Sequence, residues 1–121
     1  MGLPLMCWDE KVAKSSKKIA QERKDDCAMV HSKFGIYGEN LAAGGDLNAT
    51  SAVNHWIAQK YNYDYKTNTC REGKMCGHYT QVVWKTSVRL GCAKVMCTNN
   101  PCCWIICNYD PPGYYIDTKP Y

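Results

Sequence analysis

GCAKVMCTNNPCCWIICNY, residues 91 to 109, decides the fold class of this chain. Its flanks, Gly91–Met96 and Trp104–Tyr109, are rich in the β-branched and aromatic residues that fit a pleated, half-buried surface. Asn99-Asn100-Pro101 between them is a turn signal. Two antiparallel strands are predicted. The same stretch carries five of the chain's nine cysteines. So many thiols in 121 residues point to an oxidising, secretory compartment, where they crosslink a small domain.

Outward from this core, His78–Trp84 reads as a third strand. Residues 7 to 24 predict a helix with Trp8, Val12, Ile19 and Ala20 on its apolar side and no internal Gly or Pro. A second helix is predicted over 50–60, with Val53, Trp56 and Ile57 as its stripe. The Gly-punctuated segment 31–45 reads as a loop with a short helical turn, 61–77 as a long loop, and 111–121 as an extended tail. Helices first and antiparallel strands later describe one α+β layered domain over residues 1–121.

Fifteen Lys and Arg against eleven Asp and Glu give too small and too scattered an excess for nucleic acid. No run approaches the roughly 18 apolar residues of a membrane span. MGLPLMCWDEK lacks the basic and apolar regions of a signal peptide, and Met6 stands where a myristoylation signal needs Ser or Thr. Cysteine usage without an export signal reads as a trimmed or N-terminally incomplete form of a secreted precursor. Asn48-Ala49-Thr50 is a glycosylation sequon that suits that compartment.

Four phrases then point to a family. GENL (38–41), GHYTQVVWKTS (77–87), SVRLGC (87–92) and WIICNYDPPGYY (104–115) occur in an order that resembles the CAP superfamily of cysteine-rich secretory, antigen 5 and pathogenesis-related proteins. The similarity is greatest to the plant pathogenesis-related class 1 proteins. The resemblance implies an α-β-α sandwich with a three-stranded antiparallel sheet between helical layers. It further implies the disulfides Cys27–Cys97, Cys70–Cys76 and Cys92–Cys107, leaving Cys7, Cys102 and Cys103 as extras. Three departures stand out: the family's first helix with its HNxxR motif has no match here, Tyr114 replaces the usual Asn, and Gln59 replaces a frequent Glu.

The resemblance places two His and two acidic positions around a central cleft, here His31, Glu39, His78 and Gln59. Neutral imidazoles and carboxylates are ordinary zinc ligands. An amide at residue 59 removes one charge, so no cofactor is required on this reading and any zinc site is a weak one. Glu39 or a His activating water is the hydrolytic alternative, although Ser32 beside His31 makes no triad. The third reading is a buried hydrogen-bonded network tying loop to sheet. His55 lies outside the motifs, as a helix-surface residue.

YNYDYKTNTC (61–70) puts Tyr61, Tyr63 and Tyr65 on one face if the segment is extended. In the family the corresponding loop is tied to sterol binding, and an aromatic-lined concavity suits a flat, largely apolar ligand. Covering a core edge would use the same rings. The tail after Asp110–Pro111 resembles the peptide that plant members release for defence signalling, which would need an extracellular protease. The expected protein is thus a secreted, apoplastic, non-enzymatic defence protein whose partner is a sterol or other lipid. Peptide precursor and metal-dependent hydrolase are the alternatives.

Overall fold

The computed structural model describes residues 2–32, 36–99, 102–113 and 117–121. Strand β6 (Cys103–Asp110) is its centre, buried from Cys103 to Tyr109. A strand with no exposed side must be covered on both faces, and the alternation of its side chains shows how. Trp104 and Ile106 pack with Ile19, Ala20, Leu41 and Val95, under helix α1 (Glu10–Arg23). Ile105, Cys107 and Tyr109 pack on the opposite face with Ala42, Ala52 and Trp56, under helix α2 (Ala49–Ile57). The result is an α-β-α sandwich.

Strand β6 pairs antiparallel with β5 (Arg89–Met96) on one side and β2 (Gly38–Gly44) on the other. Those are three antiparallel strands, but the sheet has four. A two-residue strand, β1 (Cys7–Trp8), adds parallel to β5. The predicted first helix therefore starts late. Cys7 and Asp9 donate their N–H groups to the Val88 and Leu90 carbonyls, and Asp9 then caps α1 by accepting from Val12 N at 3.0 Å. Trp8, assigned to the apolar stripe, is instead on the outside at 55% exposure.

Three further predictions are corrected. Segment 31–45 was expected as loop, yet Gly38–Gly44 runs along β6 over seven register pairs. Its small residues resemble punctuation in sequence, whereas here they form the edge strand of the sheet. His78–Trp84 was expected as strand, yet Gly77–Val82 is helix α3. Packing overrides the β propensity of HYTQVVW, as Tyr79, Thr80 and Gln81 become buried. The expected long loop 61–77 holds a small hairpin, β3 (Tyr63–Asp64) and β4 (Thr69–Cys70), entered through a 3-10 turn over Ala58–Asn62. Of the turn Asn99-Asn100-Pro101, residues 100 and 101 lie outside the described residues.

Where α1 crosses β5 the two backbones nearly touch. A Cβ on Gly91 would sit 2.1 Å from Ala13 N, so only glycine fits there. Beside that contact Ser16 Oγ donates to Asn108 Oδ1 at 2.7 Å and lies 2.8 Å from the Gly91 carbonyl. Three disulfides staple the layers: Cys27–Cys97 ties the end of α1 to the sheet, Cys92–Cys107 bridges β5 and β6, and Cys70–Cys76 ties the small hairpin to α3. Cys7 is an exposed free thiol, Cys102 a half-buried one and Cys103 a buried one. No helix among the described residues is long and apolar enough to cross a membrane.

Candidate functional site

A cavity of about 660 Å³ opens between the start of β2, helix α3, the small hairpin and the tail. His31, Glu39 and His78 all line it, together with Asn40 and Tyr63. The fold thus gathers the three motif residues at one concavity, but it gives each a different neighbourhood.

Glu39, on β2, is the buried member: its side chain is 6% exposed against 65% for His31. Its carboxylate is already well supplied with donors. Ser32 N donates to Oε1 at 2.8 Å, Ser32 Oγ donates to Oε2, and His31 Nδ1 lies 3.3 Å from Oε1. Ser32 therefore meets a carboxylate and forms no Ser–His pair. His78 sits in the first turn of α3, where Gln59 clasps it. Gln59 Oε1 accepts from His78 N at 3.0 Å and Tyr79 N at 3.4 Å, and Gln59 Nε2 lies 2.8 Å from His78 Nδ1. Trp56 stacks on the imidazole, with ring centroids 6.2 Å apart. Burial, aided by the nearby His31 and His55, pushes the His78 imidazole below its ordinary value and so favours its neutral form.

These contacts do not fit a zinc ion. The lone pair at His78 Nδ1 is turned to an amide, and the Glu39 oxygens are occupied by three donors. Among the described residues no three His, Cys, Asp or Glu side chains gather as a metal-binding group. Sequence reasoning took Gln59 only as a lost charge and had no signal for its clasp on α3. It also passed over Asn40, the third letter of GENL, whose Nδ2 donates to the His78 carbonyl at 3.1 Å and to Tyr109 OH at 3.2 Å. His55 is on the surface of α2.

The three tyrosines do not share a face, because the backbone at Tyr61 is a 3-10 turn and not extended. Tyr63 lines the cavity, donating to Asn68 Oδ1 at 2.6 Å. Tyr65 is stacked on Tyr121 at 4.6 Å, and its hydroxyl donates to the Tyr121 backbone oxygen. Tyr61 is 84% exposed. Asn48 is also exposed, and its side-chain oxygen caps α2 by accepting from Ser51 N at 2.9 Å.

The tail is woven into the body. Asp110 accepts from Arg89 Nε at 2.9 Å, the Pro111 carbonyl accepts from Ser87 Oγ at 2.6 Å, and Gly113 N donates to Gln81 Oε1 at 3.0 Å. Pro120 is buried, its carbonyl accepts from Lys85 N, and Tyr121 OH lies 2.9 Å from Tyr79 OH. Asp117 and Thr118 form part of the cavity wall. Tyr114 and Tyr115 lie outside the described residues. Hydrolysis of Asp110–Pro111 is therefore expected to leave residues 111–121 bound. On native size exclusion the nicked fragments should co-elute and should part only in denaturant; immediate separation without denaturant would contradict this.

A sequence model of the CAP family, described as the cysteine-rich secretory protein family, matches residues 1–109. The chain belongs to that family. Among plant members, Pathogenesis-related protein 1 of Arabidopsis thaliana is 57% identical across 100% of this chain and 73% of its own. Venom allergen-like protein 4 of Schistosoma mansoni is 28% identical, with a TM-score of 0.73 over 99% of this chain and 79% of its own. A crystal structure of NaASP2 with Zn2+ is 26% identical, with a TM-score of 0.74 over 98% of this chain and 66% of its own.

Proposed function

We propose that this CAP protein is an extracellular plant defence protein of the pathogenesis-related class 1 type, working by binding a sterol or related lipid and not by catalysis. The observation that carries the defence role is the 57% identity, over the whole chain, to a plant protein named for pathogenesis. Export to the apoplast is supported by three disulfides and by a family named for secretion. Binding is supported by the cavity, whose volume lies in the range of small-molecule sites and whose wall mixes the Tyr63 ring with a few polar groups. Catalysis has less support, since Ser32 Oγ and Glu39 are bonded to each other and the His78 ring to Gln59.

Titration of a fluorescent sterol into the oxidised protein tests the reading. Saturable uptake at about one site per chain is expected, weakened at least about tenfold by Tyr63→Ala. Tyr61→Ala, at an exposed site with no packing to lose, separates the outer face of the loop from the cavity wall. No uptake by a sample with native near-UV circular dichroism would remove lipid binding from the proposal. Tail release as a signal would then lead, with dissociation of the docked segment as its slow step.

A further inference from the structure

We propose that Gln59 fixes His78 as a neutral hydrogen-bond donor facing the cleft, so that the cleft receives an oxygen acceptor of a ligand and refuses a divalent metal at this imidazole. The argument begins with the orientation of the amide. Two backbone N–H groups, those of His78 and Tyr79, point at one end of the Gln59 side chain. N–H groups only donate, so that end is the carbonyl oxygen and the other end is the NH2. The amide cannot be turned round without setting donors against donors.

The imidazole follows from the amide. An NH2 group donates, so His78 Nδ1, 2.8 Å away, must accept and carries no proton. A neutral ring has one proton, and it is therefore on Nε2. Protonating Nδ1 as well would press an N–H against the NH2 group, so the same amide also opposes the imidazolium. The ring has little freedom to escape this choice. Trp56 stacks on it, and Asn40 holds the His78 carbonyl. Nε2 has no hydrogen-bond partner among the described residues, and the ring lines the cavity. What the cleft offers there is an N–H.

A metal needs a lone pair at that nitrogen. Freeing it means moving the proton to Nδ1, against the NH2 group, or turning the amide away from the two N–H groups at the start of α3. A carboxylate at residue 59 would reverse the situation. It would keep both backbone bonds, accept from Nδ1–H and leave the Nε2 lone pair free, the arrangement in which an imidazole ligates. Gln59 is thus the residue that sets the cleft's preference. Hydroxyl and carbonyl oxygens fit the donor best, since the Glu39 carboxylate on the same wall disfavours an anion.

This inference rests on the Gln59–His78 geometry and is independent of the lipid reading, and its test uses no lipid. Long-range 1H–15N correlation on the full oxidised chain should show the His78 proton on Nε2. Zinc chloride titrated into the wild type should leave the His78 ring signals in place. Gln59→Glu, checked by near-UV circular dichroism, should gain zinc affinity at least about tenfold, and adding His78→Ala should remove that gain. An Nδ1–H tautomer in the wild type would overturn the inference whether or not the variant folds. So would zinc shifting the wild-type His78 signals as readily as those of Gln59→Glu, or a folded variant that gains nothing.

Discussion

Replacing Cys27 and Cys97 together by serine is expected to lower the stability of the oxidised chain by about 4 kcal/mol in the chain-entropy account. The bridge spans 70 positions, the longest of the three closures, so its loss releases the most freedom in the unfolded chain. Equilibrium unfolding in guanidinium, with the other two bridges intact, measures the effect. A change below about 1 kcal/mol would mean that the unfolded chain is already compact where the bridge acts.

The double substitution matters because the single one has an escape. Register continues past Met96↔Cys103, and Cys97 N donates to the Cys102 carbonyl at 2.8 Å. Opposed residues of that kind have Cα atoms about 5.5 Å apart, within disulfide range. Both side chains also pack against the same apolar cluster under α1. Cys27→Ser alone is therefore expected to yield a Cys97–Cys102 bond, seen by peptide mapping without reduction. The segment from Cys27 to Ser32 would then be held to the sheet by the Trp104 Nε1 bond to the Ala28 carbonyl, at 3.2 Å, and by the Ser32 bonds to Glu39.

The two strands of the opening stretch could be read from their β-branched and aromatic content, and the two longer helices from apolar spacing. The start of the first helix and the buried face of the second could not. What could not be read depends on partners distant in the chain. Gly38–Gly44 looks like loop until β6 supplies seven pairs to it, and HYTQVVW looks like strand until Gln59 captures the first N–H groups of α3. The cleft divides in the same way. Motif phrases located His31, Glu39 and His78, but the tautomer of His78 is set by a side chain 19 positions away. The tyrosine alternation was legible and misleading, since it assumed an extended backbone where a 3-10 turn runs.

The second helix carries the largest packing consequence. Periodicity chose Val53, Trp56 and Ile57 as its apolar stripe, whereas the sandwich buries Ala52 and Trp56 and leaves Val53 and Ile57 at 36% and 39% exposure. Trp56→Ala is expected to cost about 3–5 kcal/mol, because a fully buried indole leaves a cavity that the sheet cannot fill. A polar loss adds to the apolar one. Strand β2 ends the sheet, and Trp56 Nε1 donates to its Leu41 carbonyl at 3.0 Å. Trp56→Phe keeps most of the volume and abandons that carbonyl, so it should fall between wild type and Trp56→Ala. Val53→Ala and Ile57→Ala should each cost far less than Trp56→Ala, and denaturant unfolding of the four variants ranks them. Equal losses across the four would place the wrong face of α2 against the sheet. Because the same indole stacks on His78, Trp56→Ala should also broaden the His78 ring signals, linking the core of the sandwich to the donor that faces the cleft.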